Sequence, residues 1–174
     1  MAGLRRLMQI GRIPLWLLLP AAGCALSPYT VSLNNNVLYS PNAAVLAGGV
    51  ADSSLQACIN QVLLASEGTI ATLKTLACPD AGVRSLEGIS ALAALEQVEL
   101  SNNQIDNLSP LQPLRNLRVL SLRNNDIRNI GPLANQPLLR FVSLEGNDHI
   151  PCAQLDELQE KLGNTLNRPA NCAN

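Results

Sequence analysis

The chain has 174 residues, with 12 Lys and Arg against 13 Asp and Glu, and is 47% hydrophobic but only 2% aromatic. A formal net charge of −1 leaves no basic footprint for nucleic acid, and the length suits one domain with a tether. A single His and no CxxC argue against zinc, and without a GxSxG, HExxH or glycine-rich phosphate loop no catalytic role, metal or cofactor is expected.

Residues 1–23 read as a targeting segment. Arg5, Arg6 and Arg12 make a positive start, and Ile13 to Ala22 is an apolar run of ten, too short to span a bilayer as a helix. The run ends in Pro20, Ala21, Ala22 and Gly23 directly before Cys24. This resembles the lipobox of bacterial lipoproteins, with Ala21 where Leu is commoner. The resemblance implies a diacylated Cys24 sulfur, cleavage before Cys24 and acylation of the new amine; several acyl chains would anchor the protein firmly. Ala25, in place of an Asp, implies the outer membrane of a Gram-negative cell. An ordinary signal peptide cut after Ala25 is the alternative. Without Arg5, Arg6 and Arg12, nine basic residues face thirteen acidic ones, a net charge of −4.

Residues 24–51 contain three consecutive Asn, proline breaks and Gly48-Gly49, with no steady apolar period. They read as a flexible tether, in which Val31-Ser32-Leu33 and Asn36 to Tyr39 allow short strands or a docking peptide. A helical N-cap is expected over 52–72. It starts at Asp52 or Ser53, with Ser53 and Gln56 spaced as a capping box. Leu55, Cys58, Ile59, Val62 and Leu63 fall on one face, and Gly68 is the stop.

From 73 to 150 the sequence repeats every 22 residues. Copies start at Leu73, Leu95, Leu117 and Leu139. Leu76, Val98, Leu120 and Val142 align, as do Cys78, Leu100, Leu122 and Leu144, and then Asn103, Asn125 and Asn147. In each copy the two apolar residues either side of one outward residue make a short strand with one face inward. The Asn amide both donates and accepts, so it can bond backbone groups left unpaired by the turn. Ile105 and Ile127 turn back into the core, followed by Leu108, Ile130, Leu111, Leu133 and Leu114. Pro110, Pro113, Pro132 and Pro137 disfavour long helices on the return path.

This pattern resembles the 22-residue class of leucine-rich repeats, as in internalins and the phosphatase-1 regulatory subunits. The resemblance covers a little under half the chain. It implies an α/β repeat solenoid with parallel concave strands, convex 3₁₀ and extended segments, and a helical cap at each end. It also implies a concave face that grips other proteins. Two copies depart from the pattern. The first has Ala81 in the Asn slot and Cys78 in the second Leu slot; the last has His149 in the Ile slot. His149 is read as a packed residue rather than a general base. Both departures look like ends of a stack.

A C-terminal cap is expected over 151–174, with Leu155, Leu158 and Leu162 on one helix face, Glu157 and Lys161 paired at i, i+4, and Gly163 as the stop. With Cys24 acylated, Cys58, Cys78, Cys152 and Cys172 allow three pairings. Local pairing, Cys58 with Cys78 and Cys152 with Cys172, would staple each cap, because the ends of a stack are too far apart for cross-pairing. An oxidising compartment fits; four buried thiols are the alternative.

The outward strand residues are Gln97, Glu99 and Ser101; Val119, Ser121 and Arg123; and Phe141, Ser143 and Glu145, with Arg118 and Arg140 beside them. Phe141, the one Phe of the chain, is an anchor for a partner or packs on the C-cap. Both charge signs on this face fit a protein or peptide partner. The sequence thus reads as a monomeric, non-catalytic interaction protein of the cell envelope, held at the membrane by its lipid. The alternative is a pilotin-like or chaperone-like factor that delivers a client to the outer membrane.

Overall fold

The computed structural model describes residues 31–33, 36–39, 49–66 and 68–172. The targeting segment, Cys24 and most of 24–51 lie outside them. The chain divides into two units, Met1–Pro41 and Asn42–Asn174. In the first, β1 (Val31–Leu33) and β2 (Asn36–Tyr39) pair antiparallel with an irregularity after Val31. The expected tether therefore contains strand structure, in the two stretches where the sequence allowed short strands.

The second unit begins before the expected boundary at 52. Val50 is buried, and Ala51 N donates to Glu87 O at 3.1 Å. Gly88, at φ 90°, permits this approach: a Cβ there would lie 2.6 Å from Gly49 O. Helix α1 (Ser53–Ser66) follows and buries Leu55, Ile59 and Leu63, with Cys58 and Val62 packed partly against the same core. Its cap is Asp52, not a Ser53/Gln56 box. Asp52 Oδ1 accepts Ser54 N and Leu55 N at 2.9 and 3.0 Å, satisfying two free helix-start donors. Its Oδ2 accepts Arg84 N and Ser85 N at 2.8 and 3.1 Å. One carboxylate thus starts the helix and ties it to the first repeat. Burial opposes the charge on Asp52, but these four N–H donors outweigh it and hold the pKa below its ordinary 3.8.

Strands β3 (Thr75–Ala77), β4 (Gln97–Glu99) and β5 (Val119–Ser121) come next, then the single-turn helix α2 (Gly131–Ala134) and β6 (Phe141–Ser143). The 22-residue period becomes the sheet register: Leu76, Val98, Leu120 and Val142 stand side by side in parallel pairing. All four are buried, with Leu95, Leu117 and Leu139 before them and Leu100, Leu122 and Leu144 after. The return paths carry 3₁₀ turns at Ile89–Ala91 and Ser109–Leu111, and α2 in the third repeat. In the second and third repeats Pro110, Pro113 and Pro132 permit only such short turns.

The Asn ladder explains why the first repeat can lack its Asn. Asn125 Oδ1 accepts Ile105 N at 3.0 Å, and its Nδ2 lies 3.0 Å from both Leu100 O and Leu122 O. Asn103 and Asn147 repeat the arrangement, with Val83 N and Cys78 O, and with Ile127 N and Leu122 O. Each Asn stitches its own repeat to the one before it. The first repeat has no predecessor, so Ala81 leaves nothing unbonded there. A second ladder lies one residue earlier. Asp80, Asn102 and Asn124 have φ of 53°, 58° and 53°, and Gly146 has 74°. Asn124 Nδ2 donates to Asn102 Oδ1 at 2.7 Å, and Asn102 Nδ2 to Asp80 Oδ2 at 3.3 Å. The left-handed position suits Asn, Asp and Gly. At 146 a Cβ would sit 2.1 Å from Asn124 Oδ1, so any other residue would push the Asn124 amide out of the ladder.

The third repeat puts Gln136 in the slot of Leu92 and Leu114. It is 1% exposed, and its Nε2 donates to Leu111 O at 2.8 Å. At the far end, α3 (Cys152–Leu162) buries Leu155, Leu158 and Leu162 and stops at Gly163, φ 58°. Lys161 does not pair with Glu157. Its ammonium donates to Ala134 O and Gln136 O, at 3.0 and 2.5 Å, the last carbonyl of α2 and one just beyond it. Burial first, and the Arg115 charge second, lower its pKa. His149 is exposed, and Ile150 is buried in its place. After Gly163–Thr165, β7 (Leu166–Asn167) adds a fifth parallel strand, with Val142 beside Leu166 and Ser143 beside Asn167.

Two disulfides tie the ends. Cys58 bonds Cys78 with Cα atoms 5.9 Å apart, and Cys152 bonds Cys172 at 5.5 Å. Each pair joins a cap helix to its neighbouring turn or strand.

Candidate functional site

The open face of the sheet is built by alternation. Where Leu or Val points inward, the residues on either side point to solvent. Register then sorts these residues into rows across the strands. One row is Thr75, Gln97, Val119 and Phe141. The next is Ala77, Glu99, Ser121 and Ser143, continued by Asn167. A row just before the strands holds Lys74, Glu96, Arg118 and Arg140, and one just after them holds Ser101, Arg123 and Glu145.

Seven of the nine expected partner residues reach the surface. Gln97 and Arg123 are exposed; Glu99, Val119, Ser121, Phe141 and Glu145 are half-buried. The other two are corrected. Ser143 is 2% exposed and its hydroxyl has no partner among the described residues. The side chain is short, and Ser121, Asn167, Phe141 and Glu145 surround it on the same face. Ser101, 9% exposed, shares a 2.9 Å hydroxyl bond with Ser121, and its N–H donates to Glu99 Oε1 at 2.8 Å.

The charges on this face are largely spent on one another. Arg123 Nε lies 2.8 Å from Glu145 Oε2. Glu96 takes Lys74 Nζ at 2.9 Å and Arg118 Nε at 3.4 Å. The hydrogen bond and charge of Lys74 hold the Glu96 carboxyl below its usual range; slight desolvation opposes this and Arg118 adds to it. Such exposed pairs contribute little stability, but they hold long side chains in place around the Val119–Phe141 pair. Lys74 and Thr75 extend the face into the first repeat. Sequence alignment of the copies carries that signal, although the candidate set began at the second repeat.

A second concavity lies at the other end, between α1 and β3. It is roughly 580 Å³ and is lined by Ala57, Gln61, Ala65, Ala77, Pro79 and the Cys58–Cys78 bridge, with no ionisable group. Ser54 supplies one hydroxyl to its lining, with no acid or base beside it. Among the described residues no group of His, Cys, Asp and Glu is arranged to hold a metal ion.

No protein-family model matches the chain, and no curated protein sequence does. Solved structures match. An internalin (inlF) from Listeria monocytogenes is similar at a TM-score of 0.63 and 28% identity, over 74% of this chain and 39% of the internalin. Internalin C2 from the same species is similar at 0.58 and 25% identity, over 70% of this chain and 58% of that one. The chain thus spans less than two thirds of either neighbour. Its fold is the leucine-rich-repeat solenoid that these internalins share, an α/β stack with a parallel sheet.

Proposed function

We propose that this protein is a non-catalytic recognition module, anchored by lipid on Cys24 in the bacterial envelope, whose open sheet face holds a protein partner. The observation that carries the reading is the row Thr75, Gln97, Val119 and Phe141. It crosses four strands in register and sets an aromatic beside a β-branched residue. Aromatic anchors framed by fixed polar groups are typical of interfaces. The internalin-like fold supports a protein partner over a small molecule. The positive start, apolar run and Cys24 of the sequence support the anchor, with the outer membrane as its site.

Two experiments test the two halves. For the face, cross-linked cell envelopes are captured with wild-type protein and with Val119→Glu/Phe141→Ala protein of equal stability. The reading expects a partner that only the wild type retains; identical captures would remove the function from this face. For the anchor, cells are fed an alkyne-tagged fatty acid. Label on wild type, its absence on Cys24→Ala and release of that variant from the membrane fraction are expected. Unlabelled, soluble wild-type protein would overturn the lipid anchor.

A further inference from the structure

The partner's chemistry can be read one level deeper, on the premise that the open sheet face is the binding surface. The row before the strands runs Lys74, Glu96, Arg118, Arg140: plus, minus, plus, plus. Its one carboxylate is already shared between Lys74 and Arg118. Arg140 is exposed and forms no ion pair among the described residues. The row therefore keeps two uncompensated positive charges on a chain whose formal net charge is −1.

Backbone geometry brings the two arginines together. Arg140 N and Phe141 N both donate to Arg118 O, at 2.8 and 3.0 Å, so the stems leave adjacent strands about 4.8 Å apart. The Thr165 hydroxyl donates to Arg140 O, which fixes that position to the C-terminal cap. Like charges on neighbouring strands oppose each other; Glu96 relieves Arg118 in part, and no described carboxylate pairs with Arg140. Directly beside them stand Val119 and Phe141, register partners on the open face. We propose that the partner is a polypeptide segment presenting an acidic side chain next to an apolar one. The carboxylate lies between the Arg118 and Arg140 guanidiniums, where paired N–H donors match its two oxygens, and the apolar side chain covers Val119 and Phe141. Glu96, Glu99 and Glu145 on the same face disfavour an anionic lipid surface and leave a peptide as the fitting partner.

The test is a random-peptide display library panned on the full-length protein, with enriched peptides measured by fluorescence anisotropy. Expected are peptides with Asp or Glu within a few residues of Trp, Phe or Leu. Arg140→Glu should weaken them about tenfold or more, and replacing the acidic residue by Lys should recover binding to Arg140→Glu. Arg140→Gln, which keeps the stem, should give an intermediate loss. Enriched peptides that depend on Phe141 but ignore Arg118 and Arg140 overturn this inference and leave the face intact. Peptides indifferent to Phe141 as well overturn both. Enrichment of none, or of basic peptides, overturns it too. So does retention on phosphatidylglycerol vesicles lost in Arg140→Glu without any acidic peptide, which would assign the arginines to a membrane.

Discussion

The two ends of the stack solve one problem by different means. Each must cover an open core and a strand edge, and each has a cap helix and a disulfide spanning 20 residues. At the C-terminal end the chain comes back after α3 as β7. Leu144 N donates to Asn167 O at 2.8 Å, so the edge of β6 is closed by backbone pairing. At the N-terminal end no strand pairs with the free side of β3 among the described residues. Helix α1 covers the core through Leu55, Ile59 and Leu63, while Asp52 ties it down through four backbone donors. A groove of small residues remains beside β3. One end is closed by a paired strand, the other by one carboxylate, the single main-chain bond from Ala51 and side-chain packing. The N-terminal end is the one that depends on a single carboxylate, and so on acid.

The strongest way to break this contrast is to empty each cap. Leu55→Ala and Leu155→Ala should each cost about 3 kcal/mol in urea unfolding. Hydrogen exchange should then differ, with β3 losing protection first in Leu55→Ala and β6 with β7 first in Leu155→Ala; the same strands opening in both would remove the distinction. Replacing either cysteine pair by serine should cost about 3 kcal/mol, equal at the two ends because the closed loops are equal. Unequal losses would mean that one bridge does more than restrict the unfolded chain.

Asp52→Ala should cost about 1–2 kcal/mol for the lost cap, more than any single polar change in the C-cap. Because the folded pKa of Asp52 is lowered, its contribution is complete above the ordinary 3.8 and is lost as pH falls through the lower folded value. Acid titration of wild type against Asp52→Asn should converge in that window; curves that stay parallel would contradict the assignment. Lys161→Met should be the mildest, about 0.5–1 kcal/mol, since its carbonyl acceptors can turn to water. A loss as large as that of Asp52→Ala would make the two ends alike.

Periodicity made the repeats legible. A strict 22-residue spacing can only stack in register, so Leu76, Val98, Leu120 and Val142 had to be neighbours once the repeat was seen. The cysteine pairs followed from their place at opposite ends. What escaped lay where the period breaks or where one residue acts on two segments. Leu166 sits 24 residues after Val142, because α3 is inserted between them, so β7 had no repeat signal. Asp52 looked like one of two possible helix starts, and its second pair of bonds, to Arg84 and Ser85, is not local. The left-handed ladder was visible as the residue before each ladder Asn, but Asp80, Asn102, Asn124 and Gly146 share a backbone conformation rather than a residue type. His149 lost its slot because Ile150, one position later, supplies the apolar side chain. On the open face the row positions could be read directly. The ion pairs among them, and the burial of Ser143, depend on distances that spacing alone does not set.

The most direct test of the central claim is photo-cross-linking in living cells, with benzoyl-phenylalanine placed singly at Gln97, Ser121 or Arg140 on the open face, at Asp106 or Arg128 on the return path, and at Gln61 on α1. A single adduct species from the open-face positions, absent from the other three, is the predicted result. Adducts confined to the return path or to Gln61 would contradict the account and move the function to the other side of the stack or to the groove beside β3.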